Sequence, residues 1–240
     1  MSFTLREIIY DVREKLKTLN YSESKITDEY LIHLANVKRA FLLKQKYSDV
    51  RKYIADDMKQ IICIDLELKD KIEELNCSDK VLVSVDPIPE LINFNGLFAI
   101  NKVMSYDMTT IPFNLTTMDR FPYTGYNKWT AQQIYCAVGA DKKLYFKATD
   151  PQHRLLRKVH VIGLFSNPED ALDYSCDEEG CEDILDMRYP IEDSLIHVLT
   201  GMIVQELAYR ESSISDSNND AKEPVLVSQN NNQNIDATDS

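Results

Sequence analysis

The 240-residue sequence has few of the features that define membrane-spanning, secreted and phosphate-binding proteins. It contains no run of about 18 or more apolar residues, which excludes a predicted membrane helix. Its N-terminus, MSFTLREIIYDVREKL, lacks the continuous apolar core of a signal peptide. Only six glycines are present, so there is little scope for the Gly-rich loops that bind phosphate. We expect a soluble chain that does not follow the general secretory route.

Cysteine is also scarce, and its five positions are scattered: Cys63, Cys77, Cys136, Cys176 and Cys181. An odd, dispersed set argues against the disulfide framework of a small secreted domain and favours folding in a reducing cytosol. The pair Cys176 and Cys181 has the spacing of half a zinc site, but no second ligand pair follows at metal spacing. We therefore favour solvated loop thiols, and we predict no metal and no cofactor.

Recognisable catalytic motifs are missing. The sequence has no GxSxG, P-loop, GxGxxG or HExxH pattern. One enzymatic alternative is a hydrolase whose site combines His153, His160 and nearby acids, and it requires a deep pocket in which these groups converge. We predict no catalytic residue and a protein that is not an enzyme.

The charge is strongly acidic, with 39 Asp and Glu against 27 Lys and Arg. Nonspecific binding to DNA or to an anionic membrane is therefore not expected as the main activity. The exception is the segment PQHRLLRKVH, where Arg154, Arg157 and Lys158 form a local basic cluster. This cluster suits phosphate or an acidic partner surface, although an ordinary charged strand and loop is the simpler interpretation.

Residues 1–50 are predicted to form a helical hairpin. Thr4 and Glu7 have capping-box spacing, and a helical apolar repeat follows them to Leu19. Thr27 and Asp28 have the character of a second helix start, with the helix ending near Gln45. The short connection predicts antiparallel packing.

Residues 51–166 are predicted to form a β-rich domain, barrel-like or sandwich-like. Residues 62–68 alternate in polarity with one wet face, and Val81, Val83 and Val85 repeat the pattern. Segments 134–138 and 143–146 flank Gly139-Ala140-Asp141 as a hairpin. Between the strands, residues 108–129 form a long loop rich in aromatic residues, which requires something to pack against.

The C-terminal third is predicted to be helical and then polar. Asn167-Pro168 starts a short helix to Tyr174, and Pro190 opens a long apolar-faced helix to Arg210. We expect the segment 167–211 to pack on the N-terminal helices. Residues 212–240 form a low-complexity tail that is ordered only by partners. The predicted class is therefore α+β: a helix pair, a β-rich middle, a long C-terminal helix and an extended polar tail.

Three segments carry a resemblance: LREIIYDVREKLK, ITDEYLIHLANVKRAFLLKQKY and RYPIEDSLIHVLTGMIVQEL. Together with the β-rich middle they resemble the head-to-tail connector proteins (adaptor, ring or neck proteins) of crAss-like tailed bacteriophages. The resemblance follows the order of elements over most of residues 1–210, without a short diagnostic motif.

The resemblance implies a structural virion protein, made in the host bacterial cytoplasm. It would form a dodecameric ring that links the capsid portal to the tail and continues the DNA channel. The expected partners are neighbouring copies, the portal protein and other neck and tail ring proteins, with DNA passing unbound and no membrane. A monomeric phage-encoded module that binds a host protein is the alternative.

The candidate partner interface combines the aromatic loop, the basic cluster and the apolar island of the tail. Its residues are Phe113, Phe121, Tyr123, Tyr126, Trp129, Arg154, Arg157, Lys158, Val225, Leu226 and Val227.

Overall fold

The structure is a computed structural model that describes most of the chain. The described residues are 3–19, 26–47, 54–69, 81–94, 97–108, 111–147, 155–174, 176, 183 and 185–217, without the side chains of 97–98 and 211–217. Met1–Val204 form one compact unit, and Gln205–Ser240 form a second.

Helices flank a β-rich middle, so the predicted α+β class is confirmed. The helices are α1 (Leu5–Thr18), α2 (Asp28–Lys46), α3 (Pro168–Leu172) and α4 (Asp193–Ser217). The strands are β1 (Gln60–Lys69), β2 (Val81–Ser84), β3 (Asn93–Phe94), β4 (Leu97–Phe98), β5 (Ile100–Ser105), β6 (Asn114–Leu115), β7 (Tyr135–Val138), β8 (Leu144–Lys147) and β9 (Lys158–Gly163). Short 3-10 helices lie at Asp56–Met58 and Phe121–Tyr123.

The helix starts follow local capping chemistry. The Thr4 hydroxyl accepts from the Glu7 N–H at 3.2 Å, and the Glu7 carboxylate accepts from the Thr4 N–H at 3.0 Å, which confirms the capping box. Thr27 caps α2 as predicted. Helix α4 starts three residues after Pro190 and runs past the end predicted near Arg210 to Ser217. No glycine or proline follows Arg210 before Pro224, so nothing in the sequence stops the helix there.

Seven strands form one mixed sheet in the order β5-β9-β1-β2-β8-β7-β6. All neighbouring pairs are antiparallel except β6 and β7. The predicted hairpin is confirmed as β7 and β8, with Val138 opposite Leu144. The two edge strands approach each other, because the Phe113 N–H donates to the Val103 carbonyl at 2.8 Å. The sheet therefore nearly closes into a barrel.

The sheet is covered on both faces at β2. On one face, Leu82 joins the main core with Ile62 and Ile64 of β1. On the other face, Val81 and Val83 pack with Phe121. All four β2 residues are buried, so the predicted wet face of this strand is wrong. The side that the alternating pattern assigned to water carries Leu82 and faces the main core, and the aromatic loop covers the valine side.

Buried polar contacts within the first unit join α2 to the segments before and after α3. Arg39 donates from Nε to the Pro190 carbonyl at 2.7 Å and from a terminal nitrogen to the Phe165 carbonyl at 2.8 Å. The Tyr189 hydroxyl donates to the Asn36 Oδ1 at 2.9 Å. These contacts fix the chain entering α4 against the second helix.

Candidate assembly surface

The aromatic loop has a buried base. Phe121 is fully buried and packs on Val81 and Val83, and the Lys147 Nζ donates to the Pro122 carbonyl at 2.7 Å. Phe113 lies in the main core, edge-on to Phe146. The predicted partner-facing role of Phe113 and Phe121 is therefore corrected, because a side chain buried in its own chain offers no surface. Both instead hold the loop on the sheet.

Above this base, three aromatic side chains project into solvent. Tyr123, Tyr126 and Trp129 are 80%, 78% and 83% exposed, and we call them the aromatic surface. The Lys147 ammonium lies 4.5 Å from the centre of the Tyr126 ring, a cation–π contact. The Asn127 carbonyl accepts from the N–H groups of Thr130 and Ala131, both at 2.9 Å. The surface is thus presented by a turn with its own hydrogen bonds.

The basic cluster is only partly within the described residues. Arg157 and Lys158 are exposed at the start of β9, and the Lys158 Nζ lies 3.6 Å from an Asp65 carboxylate oxygen on β1. Arg154 and the island Val225, Leu226 and Val227 lie outside the described residues. Of the two described cations, Lys158 thus faces an acid on the neighbouring strand of the same sheet.

The cysteines depart from the sequence interpretation. Cys63 on β1 and Cys176 after α3 form a disulfide across 113 residues of sequence, so the prediction of a solvated loop thiol is wrong for Cys176. Cys181 and Cys77 lie outside the described residues. Cys136 is the free cysteine of the described part, and burial raises its thiol pKa, which keeps it protonated.

His160 lies beside this cysteine pair. It stands opposite Cys63 in the β1–β9 register, between the core residues Val159 and Val161. Its Nδ1 lies 3.2 Å from the Cys176 sulfur and 3.5 Å from the Cys63 sulfur. Its Nε2 lies 2.7 Å from the Tyr106 carbonyl oxygen, and its ring stacks on the Tyr106 ring.

The fold explains why these groups meet. Ile62 and Ile64 face the core, so Cys63 between them points to the opposite face. The Cys63 N–H donates to the Tyr174 carbonyl at 2.8 Å, which draws the segment after α3 alongside β1 and brings Cys176 to Cys63. Spacing along the sequence carries no signal of this meeting, because the three residues come from distant segments.

The hydrolase alternative gains no support from the surroundings of His160. Among the described residues, no carboxylate hydrogen-bonds to this histidine, whose ring nitrogens face two sulfurs and a backbone carbonyl. His153 lies outside the described residues.

In the described part of the chain, no helix combines the length and apolarity needed to cross a membrane.

Comparison with known proteins defines the class as ring proteins of tailed phages. The family model described as phage tail ring protein 2 matches residues 7–233. Ring protein 2 of Bacteroides phage crAss001 is 35% identical over 226 residues, which cover 92% of this chain and 98% of the relative.

The chain belongs to the phage tail ring protein 2 family. The resemblance to the ring proteins of crAss-like phages is therefore confirmed, and with it a structural role in the virion.

Proposed function

We propose that this chain forms a dodecameric ring in the neck of the virion, between the capsid portal and the tail, and that the ring continues the DNA channel. The observation that carries the proposal is the aromatic surface of Tyr123, Tyr126 and Trp129. These side chains are more than three-quarters exposed on a loop that is itself anchored in the sheet.

The composition of the aromatic surface suits a protein partner. Tyrosine and tryptophan are enriched among the residues that dominate binding energy at interfaces. The loop is held by Phe121 below and by the Asn127 turn, so association has little additional backbone to order. In a closed ring each copy uses one surface to bind a different surface of its neighbour. We assign the aromatic surface to that contact.

The acidic charge of the chain supports a role in lining a DNA channel. The net formal charge is −12, and an acidic lumen repels DNA phosphates, so DNA slides through without being held. The exposed Arg157 and Lys158 are the described part of a basic cluster that we assign to an acidic patch of a neighbouring protein. The tail 212–240, with Val225, Leu226 and Val227, is proposed as an arm that a neighbouring subunit orders. We keep the division of the chain at 50 and 166 as part of this proposal, and α4 extends the third part past its predicted boundary at 211 to Ser217.

Electron microscopy with mass measurement tests the proposal, on the full chain alone and after mixing with the portal protein of the same phage. We expect rings or portal-bound complexes from the unmodified chain. A triple variant, Tyr123→Ser, Tyr126→Ser and Trp129→Ser, should weaken association at least about 100-fold, since three interface aromatics contribute several kcal/mol together.

The matched control is Tyr10→Ser, which removes an exposed tyrosine from α1. It should assemble like the unmodified chain. A chain that stays monomeric with and without the portal would contradict the ring and support the host-binding module. Rings that survive the triple variant would keep the ring and refute the role of the aromatic surface.

A further inference from the structure

The cluster of Cys63, His160 and Cys176 has the ligand set of a metal site. A carbonyl oxygen only accepts hydrogen bonds, so the 2.7 Å contact with Tyr106 places the imidazole hydrogen on Nε2. The Nδ1 lone pair then points at the two sulfurs, at 3.2 and 3.5 Å. The three ligand atoms all lie within 4.8 Å of one another.

The nitrogen–sulfur distances match tetrahedral zinc. With Zn–S near 2.3 Å and Zn–N near 2.0 Å, neighbouring sulfur and nitrogen ligands stand about 3.5 Å apart, and two sulfurs stand about 3.8 Å apart. The nitrogen–sulfur separations already fit. The Cα atoms of the two cysteines are 5.1 Å apart, so the sulfurs can move to that spacing by side-chain rotation once their bond is reduced.

The surroundings supply the remaining features of such a site. The Tyr106 carbonyl fixes the ring orientation of His160, as outer partners do for metal-ligating histidines. An open cleft of about 440 Å³ adjoins Cys63 and is lined by Ile64, Asp65, Asp86, Lys158, Asp173 and Tyr174. Water from this cleft can complete a fourth position, and two thiolates with one imidazole select soft divalent ions of the zinc class.

We propose that the reduced chain binds one zinc-class divalent cation through Cys63, His160 and Cys176, and that oxidation by a low-molecular-weight disulfide releases it. In that step the two thiolates lose two electrons and form the Cys63–Cys176 bond of the structure. The reagent's S–S bond breaks, and its two sulfurs take up the electrons and two protons as thiols. The cytosol in which a phage protein is made keeps thiols reduced, so the metal-bound form belongs to assembly and the disulfide to the oxidised particle.

The test uses the full chain, reduced under anaerobic conditions and titrated with cobalt(II). We expect one cobalt ion per chain, a sulfur-to-cobalt charge-transfer band, and displacement of cobalt by zinc. Cys63→Ser and Cys176→Ser should each reduce the band to background. Both serines are nearly isosteric at half-buried positions, and circular dichroism checks that each variant is folded. In the double variant Cys77→Ser, Cys181→Ser, oxidised glutathione added to the zinc form should release one zinc for every two thiols lost.

Cys77→Ser and Cys181→Ser are the matched controls, since they remove cysteines that the proposed site does not use. Both should keep the band and the stoichiometry. Absence of a thiolate band in the folded, reduced chain would overturn the proposal. So would a band that survives Cys63→Ser or that disappears in Cys181→Ser. Thiol loss without zinc release in the double variant Cys77→Ser, Cys181→Ser would overturn the redox step.

Discussion

Replacement of the buried Arg39 side chain should lower the stability of the fold. It is fully buried on α2, and its two hydrogen bonds end on the carbonyls of Phe165 and Pro190. Its guanidinium also lies 5.7 Å from the centre of the Tyr189 ring. Burial lowers the pKa of Arg39 to about 10, so the side chain still carries its charge near neutral pH.

The magnitude for Arg39→Ala is the balance of three contributions. Two orphaned carbonyls cost about 1–3 kcal/mol each, and the cavity left by the side chain adds about 2 kcal/mol or more. Removing a buried charge returns several kcal/mol of desolvation. We expect a net loss of about 3 kcal/mol in the free energy of unfolding. Arg39→Lys keeps the charge but loses the two-pronged geometry, and should cost about 1–2 kcal/mol.

Urea unfolding followed by circular dichroism measures these values, at protein concentrations low enough to keep the chain monomeric, because self-association adds stability. Lys44→Ala is the control, since it removes an exposed cation from the same helix and should change stability by less than about 0.5 kcal/mol. A folded Arg39→Ala variant as stable as the Lys44→Ala control would refute the reasoning.

Two further predictions concern the hydrogen-bonded Glu192 carboxylate and the buried Phe121 ring. The hydrogen bond from Lys46, with those from Ser194 and Tyr47, lowers the pKa of Glu192 to about 2. The ionised Glu192 therefore stabilises the fold fully above about pH 4.5, and this stabilisation is lost as the pH falls toward 2. Because the Glu192 side chain is 34% exposed, we expect it to contribute about 1–2 kcal/mol to the free energy of unfolding. The measurement is the acid sensitivity of unfolding, which Glu192→Gln should remove. Phe121→Ala should lower the free energy of unfolding by about 3–4 kcal/mol, whereas Tyr123→Ala should change it by less than about 0.5 kcal/mol; equal effects in urea unfolding would contradict the placement of the loop.

Local sequence patterns predicted the helices and the hairpin because the causes of these elements are themselves local. The capping box of Thr4 and Glu7 acts within one helical turn. The β7–β8 hairpin depends on Gly139 to Lys142, where Lys142 takes a positive φ of 60° in the turn. The end of α4 was missed because its last turns carry neither a stop signal nor an apolar repeat.

Long-range contacts were not predictable in the same way. Alternation in β2 indicated a wet face opposite the valines, yet Leu82 on that face lies in the main core, and Phe121, some 40 residues later, covers the valines. The same applies to Cys63 and Cys176, which spacing rules treat as unrelated because they meet only when the sheet has formed and the segment after α3 lies along β1. The same holds for the aromatic loop, where Phe121 is buried and Tyr123 is exposed because of long-range contacts that the local sequence does not show.

The aromatic loop thus carries two kinds of residue whose effects can be separated. Phe121 stabilises the fold by covering β2, and its contribution is present in a single chain. Tyr123 and Trp129 contribute almost nothing to that single chain because they remain in solvent. A protein selected only to fold gains nothing from keeping three large rings exposed on an anchored turn, since each exposed ring adds apolar surface that favours association. Their placement is therefore the basis of our proposal that a neighbouring subunit covers them in the ring.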